Sequence, residues 1–149
     1  MELLTDRIKE DMKASMKGGQ KARLGVIRLI LSAIKQVEVD ERIVLDDERT
    51  ILVLDKMLKQ RRESIRLFSE ADRQDLIAIE EAEISVIQDF LPQALTDQEV
   101  DDMIATAVAE SGAESVKDMG KVMALLKAPM QGRADMSVVS AKIKTALAG

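Results

Sequence analysis

The sequence predicts an all-α fold. Apolar residues return every three or four positions along most of the chain, and no segment alternates apolar and polar residues as a half-buried strand does. The apolar side chains come from Leu, Ile, Val, Ala and nine Met, with Phe68 and Phe90 as the two aromatic residues. A core of this composition favours helices over β-sandwiches.

Four helices are predicted before Pro92. The first should end near Gly18 and Gly19, the second near residue 41, and Pro92 should stop the fourth. An acidic stretch at residues 46–48 separates the second helix from the third. The apolar positions that mark the four helices are, in order, Leu4, Ile8, Met12 and Met16; Leu24, Ile27, Leu31 and Ile34; Ile51, Leu54, Leu58, Ile65 and Phe68; and Leu76, Ile84, Ile87 and Leu91.

A second group of helices begins after Pro92. Thr96 followed by Glu99 has the pattern of a capping box, in which each side chain accepts a hydrogen bond from the backbone of the other residue. We expect three shorter helices from there onward. The sequence therefore predicts two domains, a four-helix part in residues 1–92 and a small three-helix bundle in residues 93–149.

The segment "SVKDMGKVMALLKAPMQGRADMS" predicts a helix, a turn and the start of the last helix. Ser115 and Asp118 form a second capping box. Ala128 should end the helix, because the residue before a proline avoids the helical region of backbone conformation. Asp135 or Ser137 is expected to cap the last helix.

Two glycines in this segment raise further expectations. Gly120 lies inside the predicted sixth helix, where glycine costs about 1 kcal/mol relative to alanine, so we expect close packing against it. Gly132 should terminate that helix, and Arg133 should face solvent. Across residues 92–95 we expect few apolar contacts, with a separate core in each domain.

Absent residue types narrow the function classes. Without histidine or cysteine, the chain has no Ser-His or Cys-His dyad, no disulfide and no ordinary zinc site. Without Trp or Tyr, RNA recognition by base stacking is disfavoured. The net charge of −5 argues against coating nucleic acid through overall charge, but it allows local basic patches. We predict no catalytic residue, no metal and no cofactor.

The sequence also predicts the cellular compartment of the protein. No apolar run approaches the roughly 18 residues of a membrane span. The N-terminal segment "MELLTDRIKEDMK" lacks the apolar stretch of a signal peptide. Together with the absence of cysteine, these features predict a cytoplasmic protein that does not interact with membranes.

Three charged residues fall on apolar helix faces. Arg61 lies within the apolar arc of the third helix, and Glu80 and Glu83 lie within that of the fourth. A structural Arg–Glu ion cluster is the favoured interpretation. Catalytic carboxylates are an alternative, as are ligands of a dinuclear metal centre, but such a centre usually takes Glu-x-x-His and the chain has no histidine.

The chain resembles the GatB/YqeY family over essentially its whole length. The family includes small stand-alone proteins and the C-terminal tail of the B subunit of glutamyl/aspartyl-tRNA amidotransferase, which amidates mischarged tRNA with glutamine as nitrogen donor. The resemblance implies four helices followed by three. The segments that carry it are "RLGVIRLILSAIKQVEVDER", "KQRRESIRLF", "ADRQDLIAIEEAEISVIQDFLPQALTDQEV" and "KDMGKVMALL" followed by "GRAD". The residues to which it directs interest are Arg28, Arg61, Arg73, Glu80, Glu83, Lys117, Asp118, Gly120, Lys121, Gly132 and Asp135.

This resemblance implies a non-catalytic helical module that binds tRNA or a tRNA-aminoacylation or amidation complex. The chain has no phosphate-binding loop and no serine–lysine nucleophile signature, so any link to carbon–nitrogen ligase activity is by association. The alternative is a protein–protein adaptor that docks through the Met-rich C-terminal helices without contacting RNA. The candidate RNA-binding residues, which would contact phosphates, are Lys117, Lys121, Arg133 and Lys142, with Arg62 and Arg66 as a second patch. A further basic group around the first turn comprises Lys13, Lys17, Lys21, Arg23 and Arg28.

Overall fold

The fold is entirely helical in residues 3–148, the part of the chain that the computed structural model describes. These residues form seven α-helices and one short 3-10 helix, with no strand among them. The all-α prediction is therefore confirmed. The α-helices are α1 (Leu4–Lys17), α2 (Lys21–Glu41), α3 (Asp47–Glu70), α4 (Gln74–Gln88), α5 (Asp97–Ser111), α6 (Met119–Met130) and α7 (Met136–Ala148), and the 3-10 helix spans Val116–Asp118.

The chain divides into two compact units, residues 1–91 with α1–α4 and residues 92–149 with α5–α7. We call them the first and the second unit. Each contains its own cluster of buried apolar side chains. Whether each unit folds independently, as the predicted domains would, stays a prediction.

The core of the first unit is aliphatic. Helix α3 packs on α4, and α1 packs on α2. Ile27, Ile30, Leu54 and Ile87 are fully buried at the centre of the unit. Helical periodicity predicted Ile27, Leu54 and Ile87 on the apolar faces of α2, α3 and α4, whereas Ile30 was not among the predicted positions.

Helix α3 begins four residues before Ile51, its first predicted apolar position. Asp46 caps it, because its carboxylate accepts a hydrogen bond from the backbone N–H of Arg49 at 2.8 Å. Asp47 accepts a second bond at 2.8 Å, from the backbone N–H of Leu4 at the start of α1. The acidic stretch thus caps one helix and joins it to another.

Helix α5 starts as the sequence predicted. The Thr96 hydroxyl accepts from the Glu99 backbone N–H at 3.1 Å, and the Glu99 carboxylate accepts from the Thr96 N–H at 3.2 Å. Helix α5 ends at Gly112, whose φ of 67° lies in the left-handed region that glycine tolerates best. The predicted start of α5 is confirmed.

Helix α6 differs from its prediction at both ends. The capping box of Ser115 and Asp118 is present, but it opens the 3-10 helix, and α6 begins after it. Helix α6 also continues through Pro129 to Met130, so the predicted stop at Ala128 is wrong. A proline in the last turn removes only one hydrogen bond of the helix, and the full burial of Met130 offsets that loss.

The two glycines of this region have different environments. Gly120 is the second residue of α6 and is exposed, and a Cβ there would meet no atom within 4 Å. The predicted close packing against Gly120 is therefore wrong. Gly132 is buried with a φ of 73°, in the turn that follows α6. Asp135 then accepts from the Ser137 backbone N–H at 3.0 Å, at the start of α7 as predicted.

Within residues 3–148, no helix combines the length and the hydropathy that a membrane crossing requires.

Candidate functional site

The predicted ion cluster lies between α3 and α4. The Arg61 guanidinium donates to the Glu83 carboxylate at 2.8 Å and to the Met57 carbonyl at 3.2 Å. The two charged side chains are 14% and 22% exposed, so their attraction is only partly screened by water. This ion pair links α3 to α4.

Glu80 lies beside this pair without joining it. It forms no hydrogen bond or ion pair within the described part of the chain. Burial raises the pKa of Glu80, the negative charge of Glu83 raises it further, and attraction to Arg61 opposes both. In residues 3–148, no three Asp, Glu, His or Cys side chains come close enough together to hold a metal ion.

A second ionic network was not predicted. Arg23 on α2 donates to Asp11 on α1 at 2.8 and 3.1 Å, and to Asp89 after α4 at 2.6 Å. Its guanidinium also lies 5.6 Å from the centroid of the Phe90 ring, within cation–π range. The hydrogen bond from Arg23 lowers the pKa of Asp11. Arg23 therefore holds three segments of the first unit together and is not a free surface cation.

Most of the predicted RNA-binding residues already have partners. Lys142 donates to Asp101 at 2.9 Å, and this bond raises the pKa of Lys142. The Arg133 guanidinium is half-buried and donates to the Gln93 carbonyl at 3.0 Å, so it is less free in solvent than expected. Arg66 bridges its helix neighbours Glu63 and Glu70, and Arg62 is half-buried and already interacts with another group.

Two candidates in the second unit remain accessible. Lys117 is exposed and has no polar partner among residues 3–148. Lys121 is exposed and lies 3.8 Å from Asp118, a loose pair that solvent screens. Asp118 itself accepts from the backbone N–H groups of Glu114 and Ser115 at 3.0 and 3.4 Å, and the first of these bonds lowers its pKa.

The family resemblance also directed interest to Arg73 and Arg28. Arg73 precedes α4 and forms a bidentate pair with Asp75, at 3.1 and 3.0 Å. Arg28 is exposed on α2 without a polar partner in the described residues. Of the two, Arg28 is the one free to bind a ligand.

Arg28 belongs to a larger set of exposed cations on α1 and α2, which we call the basic hairpin surface. None of its members has a hydrogen-bond or ion-pair partner within residues 3–148. The surface comprises Lys13 and Lys17 on α1 and Lys21, Arg28 and Lys35 on α2.

Helix geometry aligns these side chains. Lys13 and Lys17 are four residues apart, so they share one face of α1. Lys21, Arg28 and Lys35 recur every seven residues, which places them in a row about 21 Å long on the side of α2 opposite its buried face. Because α1 packs on α2 and only residues 18–20 join them, the two rows lie on neighbouring helices.

The start of α2 is electrostatically unfavourable as it stands. Its first turn contains Lys21 and Arg23 and no acidic residue, and Gln20 makes no side-chain capping bond. Cations at a helix N-terminus oppose the helix dipole and cost typically 0.3–1 kcal/mol. A bound anion would relieve this cost and would find unsatisfied backbone N–H groups there.

Four of the five residues of this surface belong to the basic group predicted around the first turn, and the sequence contains a second signal for it. Residues 12–37 include six Lys or Arg and no Asp or Glu, in a chain that otherwise has 27 acidic residues. An acid-free stretch leaves its cations without local partners. Counting acids along the chain would have ranked this stretch first, whereas the leading candidates were chosen from the family resemblance and from their separation from the apolar helix faces.

The seven α-helices of residues 3–148 define a small all-α protein. The chain belongs to the YqeY-like protein family, whose model matches residues 5–147. The family membership predicted from the sequence segments is thereby confirmed.

Curated fungal relatives align along most of the chain. The protein named "Altered inheritance of mitochondria protein 41, mitochondrial" from Lachancea thermotolerans is 32% identical over 143 residues, covering 91% of this chain and 76% of the relative. Its namesake from Pyrenophora tritici-repentis is 29% identical over 141 residues, covering 93% and 77%. That from Vanderwaltozyma polyspora is 30% identical over 120 residues, covering 75% and 64%.

These relatives correct the predicted localisation. They are named as mitochondrial proteins, which contradicts the cytoplasmic prediction. The error has a physical reason. A chain without cysteine has no disulfides, which are typical of proteins in oxidising compartments. This feature does not distinguish one reducing compartment from another.

Proposed function

We propose that this protein is a non-catalytic helical module that binds tRNA through phosphate contacts. One observation carries the proposal: the basic hairpin surface presents five exposed cations without acidic partners within residues 3–148. Such a set costs stability through mutual repulsion unless an anion binds to it. The resemblance to the tRNA amidotransferase tail supports tRNA as the anion.

The chemistry of the surface suits phosphates more than bases. Lys and Arg contact phosphate oxygens, which positions a nucleic acid without reading its sequence. The chain has no Trp or Tyr with which to stack on unpaired bases. The expected ligand is therefore a folded RNA recognised by its backbone.

Lys117 and Lys121 would provide further contacts from the second unit. Both are exposed, and neither holds a close ion pair. Lys142 and Arg66 are weaker candidates, because a phosphate would have to displace the acids that they already bind.

The alternative of an adaptor that docks through the Met-rich C-terminal helices has less support. Met130 is fully buried, and Met119 and Met123 pack against the core of the second unit. These three methionines stabilise the fold and do not form an open face.

Binding of labelled tRNA across a salt series tests the proposal. Lys21→Gln, Arg28→Gln and Lys35→Gln combined remove three phosphate contacts. We expect about 100-fold weaker binding near 0.1 M salt and a slope of log K against log salt reduced by about 2 to 3. The matched control combines Arg66→Gln, Arg73→Gln and Lys142→Gln, which remove the same charge where acids already compensate it, and should change affinity only a few-fold.

Two results would overturn the proposal. One is a wild-type protein whose tRNA binding is undetectable or shows no salt slope. The other is an equal loss in the hairpin variant and the control, which would show that only the total charge matters. Circular dichroism of both variants should match that of the wild type, because every changed residue is at least partly exposed.

A further inference from the structure

A groove between α5 and α6 lies within the second unit, apart from the basic hairpin surface. It encloses about 300 Å³. One wall is a single face of α5, and the other is the C-terminal half of α6. The lining residues are Asp102, Met103, Thr106, Ala107 and Glu110 from α5, and Leu125, Leu126 and Pro129 from α6.

The middle of the groove is apolar and open to water. Leu126 and Ala107 form a buried floor, and Leu125 on the α6 wall is 44% exposed. Burying a leucine of this kind against a partner contributes about 25 cal/mol for each Å² removed from water. The groove therefore favours an apolar side chain at its centre.

Both ends of the groove are acidic. Asp102 and Glu110 are eight residues apart, about 12 Å along α5, and both are exposed. Gln98 donates to Asp102 at 2.9 Å, which leaves the charge uncompensated, and Glu110 has no polar partner among residues 3–148. Helix α5 itself carries five acids and no Lys or Arg. Phosphates are repelled from such a wall, whereas cations are attracted.

The α6 wall adds a hydrogen-bond acceptor. Pro129 has no N–H, so the Leu125 carbonyl loses the donor that a helix normally supplies four residues later. Every polar feature of the groove named here can accept hydrogen bonds.

We infer that this groove binds a basic amphipathic helix of a partner protein. Its apolar side chains would contact Leu125 and Pro129, and two Lys or Arg about two turns apart would pair with Asp102 and Glu110. An amphipathic helix presents this pattern when cations flank apolar residues at positions i and i+4. The groove lies in the second unit, whereas the basic hairpin surface belongs to the first.

Titration of the isotopically labelled full chain with a model peptide tests the inference. The probe is a 14-residue helix with a leucine face and two lysines seven residues apart. Its control has glutamates in place of the lysines. We expect amide shifts confined to α5 and α6, and binding of the basic probe at least tenfold tighter than that of the acidic control.

Variants locate the binding to the groove. Asp102→Asn with Glu110→Gln should weaken the basic probe at least tenfold at low salt, and Leu125→Ala should weaken it severalfold. The matched control, Asp97→Asn with Glu114→Gln, removes the same charge away from the groove and should leave binding unchanged. Because all of these positions are exposed, the spectra of the free variants should otherwise match the wild type.

The inference is overturned if the acidic control binds equally well or if the two acid substitutions have no effect. Concentration-dependent shifts of the same amides without peptide would also overturn it, because a second copy of the chain would then occupy the groove. The result is independent of tRNA binding. If the probe does not bind, the result of the tRNA salt series is unaffected. If tRNA does not bind, the result of the peptide titration is likewise unaffected.

Discussion

The two units stabilise their helices in different ways. In the first unit α1, α2 and α4 lack side-chain N-caps, and ion pairs between helices, such as Arg23 with Asp11 and Arg61 with Glu83, fasten the elements. In the second unit capping boxes at Thr96 and Ser115 define the helix starts. One unit depends on contacts distant in sequence, and the other depends more on local ones. The same fold class therefore does not imply the same sensitivity to substitution.

The largest expected effect tests whether the units are separate at all. Ile27→Ala and Ile104→Ala each remove a buried side chain, one from each core, and should cost about 2–5 kcal/mol. We expect Ile27→Ala to speed amide hydrogen exchange in α1–α4 and Ile104→Ala to speed it in α5–α7. If either substitution affects both sets equally, the two-domain prediction is wrong.

The next effect compares the ion pairs. Arg23→Ala breaks two ion pairs and leaves Asp11 partly buried without its cation, so it should cost about 2–3 kcal/mol in the free energy of unfolding. Lys142→Ala breaks a single pair at a solvent-exposed position and should cost clearly less than Arg23→Ala. Urea unfolding measures both. Equal costs would contradict the view that long-range ion pairs matter more in the first unit.

Arg23→Ala should also change the response to acid. The folded-state pKa of Asp11 is lowered, so its contribution to stability is present above the unfolded value near 4 and is lost as pH falls through the folded value. Without Arg23 the loss of stability below about pH 4 should be shallower. Unfolding measured between pH 5 and 2 checks this. An unchanged profile would mean that Arg23 does not lower the folded-state pKa of Asp11.

A smaller effect concerns local geometry in the second unit. Gly132→Ala places a Cβ on a residue with φ of 73° and should cost about 1–2 kcal/mol. Gly120→Ala fills open space near the start of α6 and should stabilise by up to about 1 kcal/mol. Melting temperatures should shift in opposite directions. If Gly120→Ala is destabilised, another part of the molecule does pack closely against Gly120.

The smallest effect concerns Glu80, the carboxylate beside the Arg61–Glu83 pair. The folded-state pKa of Glu80 is raised, so stability is greatest below its unfolded value and declines as pH rises through the folded value. Glu80→Gln should therefore stabilise the chain near neutral pH by less than about 1 kcal/mol and flatten this decline. Unfolding at pH 5 and pH 7 tests it. Destabilisation at pH 7 would show that Glu80 makes a favourable ionic contact.

The sequence predicted the features of the fold that depend on neighbouring residues. The capping box of Thr96 and Glu99 is one, because its two members are three residues apart. The course of α6 past Pro129 depended on the burial of Met130, which no local pattern reveals. Arg23 and Asp89 are 66 residues apart, so their pairing depended on how the helices pack.

The candidate sites show the same limit. Periodicity placed Arg61 and Glu83 on facing apolar arcs, and the two do pair. It could not show that Lys142 pairs with Asp101, because these residues are 41 positions apart, whereas the pairs of Arg66 with Glu63 and Glu70 follow ordinary helix spacing. The charge count along residues 12–37 was visible from the start, but only the structure shows which of those cations lack a partner.

The aliphatic core has an optical consequence. With no Trp or Tyr, the chain has almost no intrinsic fluorescence, and labelled RNA or peptide can be followed without a protein background. Phe90, a buried ring with the guanidinium groups of Arg7 and Arg23 5.8 and 5.6 Å from its centroid, offers a place to add one fluorophore. In Phe90→Trp, all tryptophan emission would come from the first unit. The unfolding of the first unit could therefore be followed without a contribution from the second unit.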